Sequence, residues 1–537
     1  MKRNIFLYSS LLLGMAVSLS SCNDWLGEDS PGSTQLPDFF TSGEACIQTI
    51  NGCYAPLAWD YGTTYFPEYY IGDIVSDDAV KGGQNLADGN DLYDLENFKT
   101  NANNAILLNY YRAKFDGIAR CNLALREVGA YEPDETLSEA RHDALMGEAH
   151  FLRALYYFQL VRVFGGVPKI DFVVDSATEW KQPRATAEDI YELIVSDLEK
   201  AESLLPDKNS SVYASEDLGR ATRGAAQALL CKVYLYQHEY NEAYEWGKKF
   251  VDTQYKAGVY ALTPHFYDIF TLAGENGPDS VFEIQYVEDP MSDYGGFGFT
   301  RGTFGQILTR PRLSSLGSNS GWGFDHPTQN LYDEFESGDI RREVAIGVPA
   351  EGERDEAEVN YLGVNYYYNR KVSWQDENGT VPTLAHASRG PLNYPLIRTS
   401  DALLLFAEAA LESGKSNAEA KWALEEVRRR ARQDAGQAGV LPEFPNYRGY
   451  SDNTESLRQA IRHERRVELA MEGHRWFDLV RWGIAAQVMD PSTGSYGSTE
   501  AAPIRQEMAA FITGKHELFP LPSEEIQLNP MPQNPGY

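Results

Sequence analysis

The chain has 537 residues, 43% of them hydrophobic, enough for one large core or several smaller ones. A formal net charge of -31 argues against DNA, RNA or acidic membrane as general partners, since long-range repulsion slows their approach, and favours neutral or cationic ligands. Aromatic residues make up 12%, with 33 tyrosines against 24 phenylalanines; most such rings fill helix interfaces, but tyrosine also suits wet recognition surfaces, having a flat apolar face and a polar tip.

At the N-terminus, Lys2 and Arg3 precede an apolar run over residues 5–19. The run is too short and too poorly flanked to span a bilayer and has the layout of a signal peptide over residues 1–21. The next residues, Leu19-Ser20-Ser21-Cys22, resemble the lipobox of bacterial lipoproteins, which implies cleavage before Cys22 and acylation of its sulfur and new amino group. Several acyl chains anchor a protein stably, each buried methylene adding roughly 0.8 kcal/mol. Residues 22–36, rich in Gly, Ser, Pro and acids, form a short lipidated tether in this reading. No other stretch reaches ~18 apolar residues, so no membrane-crossing helix is expected. Cys46 and Cys53 follow at a helical spacing of about 10 Å, too far for a disulfide; with Cys121 and Cys231 also in helical patterns, the five cysteines give one anchor and buried free thiols, and no metal cluster.

Helical periodicity begins at "AILLNYYRAKFDGIARCNLALREV" and "LSEARHDALMGEAHFLRALYYFQLVRVFGG". It continues through "TAEDIYELIVSDLEKAESLL", where Thr186 and Asp189 form an acidic variant of the capping box, and "RATRGAAQALLCKVYLYQHEYNEAYEWGKKFVDTQ". A fourth region, "RTSDALLLFAEAALESGKSNAEAKWALEEVRRRAR", repeats the plan of the third: a small-residue-rich helix, a polar turn, then a helix led by Glu-Ala. That is tetratricopeptide logic, in which small residues let paired helices approach and stack. The fold class is therefore mainly α: a tetratricopeptide-like helical-repeat superhelix, with repeats over about 105–255 and 400–483. Between them, about 256–400, lies a long irregular insertion rich in Gly, Pro, Ser, Asn and aromatics, with short strands expected at "SVFEIQYV" and "NYYYNRKVSW". A non-periodic stretch this long and this aromatic points to function rather than disorder. A second one, "WDYGTTYFPEYYIGDIVSDDAVKGGQNLADGND", precedes the first repeat.

The chemical motifs mostly fail inspection. "IRHERRVELAMEGHRWFDLVRWG" (residues 461–483) opens with His463-Glu464, but a zinc-protease helix needs His at 467 and Val467 stands there. It is no nucleic-acid stripe either, because Glu464, Glu468 and Glu472 alternate with its arginines. Arg465–Glu468, Glu472–Arg475 and Asp478–Arg481 are spaced i,i+3, and with Trp476, Phe477 and Trp482 the helix reads as packed and structural. Neither "GSNSG" nor "GFGFTRG" has the spacing or context of a nucleophile elbow or a phosphate loop. Asp77-Asp78 could form a glycosidase dyad, but among 78 acidic residues adjacent carboxylates arise by chance.

Four segments together resemble the SusD/RagB-like outer-membrane lipoproteins of Bacteroidetes glycan-uptake systems: "EAHFLRALYYFQLVRVFGGVP" (148–168), "PLIRTSDALLLFAEAAL" (395–411), "RRVELAMEGHRWFDLVRWG" (465–483) and "LFPLPSEEIQLNPMPQNPGY" (518–537). The resemblance implies one SusD-like domain over residues 37–537, held at the cell surface by Cys22 in the outer membrane. It implies a lid on a SusC-like TonB-dependent transporter, binding oligosaccharide without catalysis or cofactor; some relatives handle peptides instead. A surface glycoside hydrolase and a pure interaction scaffold are the competing readings. From composition and loop placement, Tyr294, Phe299 and Trp322 are expected as platforms for the apolar faces of sugars, and Asp77, Asp78 and Lys81 as partners for their hydroxyls. Trp322 leads, because Gly321 and Gly323 beside it would leave the ring open.

Overall fold

The computed structural model describes residues 40–176, 179–288, 301–313, 320–349, 367–374, 380–384, 388–436, 441–490 and 508–537. Helix α1 (Gly43–Tyr54) is capped by Ser42. Helices α2 (Ala105–Glu127) and α3 (Glu139–Phe164) form the first long pair, started by the side chains of Asn104 and Ser138. Each cap supplies an oxygen to amides that have no partner within their own helix. Gly117 on α2 makes the close approach possible, since a Cβ there would stand 2.4 Å from the Tyr156 ring of α3. The second half of α3 is buried nearly all round, and α3 is the central post of the domain.

Helix α4 (Ala187–Leu204) begins at the expected capping box: Asp189 N donates to Thr186 Oγ1 at 3.1 Å, and Thr186 N donates to Asp189 Oδ2 at 3.2 Å. Helices α5 (Arg223–Tyr236) and α6 (Tyr240–Phe250) follow, α6 running on through one π-helical turn to Tyr255. The chain then leaves for about 150 residues and returns as α7 (Thr399–Glu412), α8 (Asn417–Asp434), α9 (Thr454–Glu468) and α10 (Arg475–Arg481). In space the series has no gap. Each helix from α2 to α8 packs on the next, including α6 on α7 across the insertion, where Cys231, Ala243, Leu405 and Ala409 share a buried cluster. The tetratricopeptide-like superhelix is thus continuous although its sequence is interrupted.

Short antiparallel ladders attach the irregular parts. Strand β1 (Ala79–Gly82) pairs with β3 (Phe324–Pro327), joining the early irregular stretch to the insertion. Strand β2 (Ser280–Ile284) pairs with β6 (Tyr394–Arg398) and closes the base of the insertion just before α7. Strand β4 (Ile346–Gly347) pairs with β5 (Tyr368–Asn369). The strand expected at "SVFEIQYV" is β2. Among its described residues, the one expected at "NYYYNRKVSW" forms a ladder at Tyr368–Asn369, and then the Asn369 side chain accepts from Val372 N at 3.3 Å and caps a helical turn over Arg370–Ser373. Cys46, Cys53, Cys121 and Cys231 are buried free thiols.

Candidate ligand-binding site

Three of the expected ligand contacts point the other way. Both oxygens of Asp77 are taken by Arg475, with Nε at 2.7 Å and Nη2 at 2.9 Å. Asp78 Oδ1 accepts from Arg466 Nε at 2.7 Å. Both carboxylates are buried, so their role is to dock the early irregular stretch onto α9 and α10, and the hydroxyl-partner expectation is corrected. Lys81 is also buried; its Nζ donates to the carbonyls of Gly82, Asn85 and Asp88 at 2.7, 3.1 and 2.6 Å. It pins its own turn and has no donor left for a ligand.

The stretch 461–483, which the structure divides into the end of α9, a non-helical link and α10, is structural, as read, but through different partners. Of the three i,i+3 pairs, Asp478–Arg481 forms, at 2.9 Å. Arg465 reaches Asp401 at 2.8 Å and Asp478 at 3.0 Å. Glu468 gathers Arg430, Arg341 and Arg398, and Glu472 gathers Lys371 and Arg398. These partners come from α8, β6 and the insertion, so the stretch bolts the irregular layer to the repeats.

Tyr294 and Phe299 lie outside the described residues. Trp322 is half-buried and belongs to a cluster of rings. It meets Tyr65 edge-on at 5.1 Å; Tyr65 and Tyr61 are 5.0 Å apart, and Phe304 lies 5.3 Å from Tyr61 and 5.1 Å from Tyr65. Tyr61 and Tyr65 flank a tight turn in which Gly62 N donates to Thr64 O at 3.1 Å. Gly321 serves the backbone more than the ring: a Cβ there would fall 2.1 Å from Arg310 O. Tyr61, Tyr65 and Trp322 are each partly exposed, whereas Phe304 is a buried floor.

An open groove of about 390 Å³ is lined by neighbours of the ring residues on two of these backbone segments. Trp59 lines the groove, Asp60 lies between, and Tyr61 joins the rings; likewise Arg301 lines the groove and Phe304 the cluster. Leu218 and Val287 on the groove's lining are 62% and 50% exposed. Val287 N donates to Arg301 O at 3.0 Å. Tyr61, Tyr65 and Phe304 were missed by sequence reasoning. The usable signal was the Tyr-Gly-Thr-Thr-Tyr turn, which sets two rings side by side.

The chain as a whole has known counterparts. A model of the SusD family matches residues 278–537, and one described as starch-binding, associating with outer membrane, matches residues 24–235. The chain is 26% identical to SusD-like protein P2 of Formosa agariphila, with 99% of each chain covered. It is 23% identical to starch-binding protein SusD of Bacteroides thetaiotaomicron, covering 80% of this chain and 78% of that one. A solved laminarin-binding SusD-like protein superposes with a TM-score of 0.73 at 27% identity, over 92% of this chain and 100% of that one. Surface glycan-binding protein A from Bacteroides fluxus gives 0.76 at 25% identity, with 92% and 100% covered. Matched in both halves by these family models and sharing the fold over most of its length, the chain belongs to the SusD/RagB-like family.

Proposed function

We propose that the protein is a non-catalytic, lipid-anchored outer-membrane protein that captures a soluble polysaccharide at the ring cluster around Trp322 and passes it to a TonB-dependent transporter. The observation that carries this reading is the half-buried trio Tyr61, Tyr65 and Trp322 gathered on the fixed floor of Phe304. Sugars present apolar C–H faces that pack on rings, and polar rims that bond to neighbouring side chains and backbone. The relatives described as laminarin-binding and glycan-binding support this ligand class. The description of the second family model supports an outer-membrane location, to which acylated Cys22 would be the anchor; among the described residues no helix is long and apolar enough to cross a membrane.

Native electrophoresis in gels containing laminarin, starch or other soluble glucans tests the reading. Retardation by at least one of them is expected, with no reducing ends released. Trp322→Ala is expected to weaken binding roughly tenfold, the order of one lost ring contact. Unchanged binding in Trp322→Ala would move the site elsewhere, and release of reducing sugar would make the protein a hydrolase. Co-purification of a barrel transporter from outer membranes tests the partner.

A further inference from the structure

One buried carboxylate ties together two of the three segments that carry the ring cluster. Asp60, 2% exposed, immediately precedes Tyr61. Its Oδ2 accepts from the Thr303 hydroxyl at 2.9 Å and from the Phe304 amide at 2.7 Å. Phe304 is the floor on which Tyr61 and Tyr65 rest, and Arg389 lies 4.1 Å from its centroid. The second oxygen, Oδ1, is buried and has no hydrogen-bond partner among the described residues. Asp60 also lines a narrow cavity of about 40 Å³ with Tyr69, Tyr394 and Lys114, and the hydroxyls of both tyrosines likewise lack such a partner. One oxygen of Asp60 is therefore committed to the platform, while the other is where a proton can sit.

We infer that Asp60 is a positioning residue for the ring platform: ionised, it grips Thr303 and Phe304 and sets the rings for ligand; protonated, it loosens them. The inference rests on the ring cluster being the glycan face proposed above. A charged acceptor holds its donors roughly twice as strongly as a neutral one. Burial pushes the Asp60 carboxyl up to about 6, against the pull of Phe304 N, Thr303 and Arg389. The other groups facing it are Tyr69, Tyr70 and Tyr286 and, around the cavity, Glu68, Lys114, Lys371 and Glu472.

This assignment separates binding from stability. A carboxyl raised from 3.8 to about 6 contributes stability that is fully present below the lower value and is lost as pH rises through the upper one. At pH 7.5 the charge therefore holds the platform at a cost to the fold. Asp60→Asn removes that buried charge, so it is expected to keep or raise the melting temperature while weakening the platform. A residue with only a structural role would move both in the same direction.

The test uses the detergent-solubilised full chain and laminarin as probe, titrated between pH 7.5 and 5. Wild-type affinity is expected to fall by up to about tenfold at pH 5, the limit for a group required in its ionised form one unit below its midpoint. Asp60→Asn is expected to bind weakly and equally at every pH. Thr303→Val, which removes one of the two donors and leaves the charge, is expected to bind less tightly and to keep the pH dependence. A flat wild-type profile, or Asp60→Asn binding like wild type at pH 7.5, overturns the proposal. A ligand-free arm records the difference in emission between wild type and Trp322→Phe, expected to change with a midpoint near pH 6 and not to change in the Asp60→Asn background. If laminarin is bound at no pH, the glycan reading fails for that polymer, and this arm decides the proposal alone: a pH-independent difference overturns it.

Discussion

Three guanidinium groups meet at Glu468. Arg430 at 2.5 Å, and Arg398 and Arg341 at 3.0 Å each, come from α8, β6 and the insertion, and the carboxylate is fully buried. Burial alone would raise this carboxyl, but Arg430, Arg398 and Arg341 hold it well below the usual range. Glu468→Gln would leave three buried cations short of one charge. It is expected to destabilise the fold by about 3–5 kcal/mol, the scale of a broken buried pair, as a lowered urea midpoint. The sequence showed Glu468 as one member of a local i,i+3 pair with Arg465. That spacing describes what can meet on an isolated helix, and a buried helix takes its partners from every neighbour. Asp77 and Asp78 were misread for the same reason, since a loop acid and a docked acid are spelled alike.

At the scale of elements, periodicity was enough for the helices and short of information for the strands. The capping box at Thr186 and the pairing of α7 with α8 were legible because they depend on neighbours in sequence. Thr186→Ala is expected to cost about 1 kcal/mol by removing an acceptor for the Asp189 amide, measured by thermal or urea unfolding. The α2–α3 contact is stricter: in Gly117→Ala the new methyl would have to displace the Tyr156 ring, and Tyr156 is fully buried and donates to Cys53 O at 2.8 Å. About 1–3 kcal/mol of overpacking cost is expected, larger than for alanine at an open helical glycine. The ladders β1–β3 and β2–β6 span more than 100 residues of sequence, and nothing local selects their partners; at Tyr368–Asn369 the pattern favoured a longer strand, and the Asn369 cap turns the chain helical instead.

Over the whole molecule, the ionic seam between the repeats and the irregular layer sets the response to pH. Burial opposes ionisation of Glu334 and Glu336, yet bonds from His463 and the arginines beside them bring both down to about 2. Their contribution is present above the ordinary glutamate value of 4.5 and is lost as pH falls toward about 2. His463 is raised despite burial by the same glutamates, so its contribution is full below 6.5 and fades as pH rises through its higher native value. Asp60 also loses stability on the alkaline side. The melting temperature is therefore expected to peak between about pH 4.5 and 6 and to fall steeply on further acidification. A curve still rising below pH 4 would show that the seam is not what acid breaks.

The sequence by itself determined a helical-repeat scaffold, its capping and the free thiols, and excluded a zinc-protease helix, because all of these follow from residue types at short, regular spacing. It also marked Trp322 and the irregular stretches as the place to look. Only the tertiary structure decided that α6 and α7 meet across the insertion, that Asp77, Asp78 and Lys81 turn inward, and that Tyr61, Tyr65 and Phe304 gather beside Trp322. Those outcomes depend on which apolar faces and which charges must be covered when distant segments are buried together, a condition that no local pattern records.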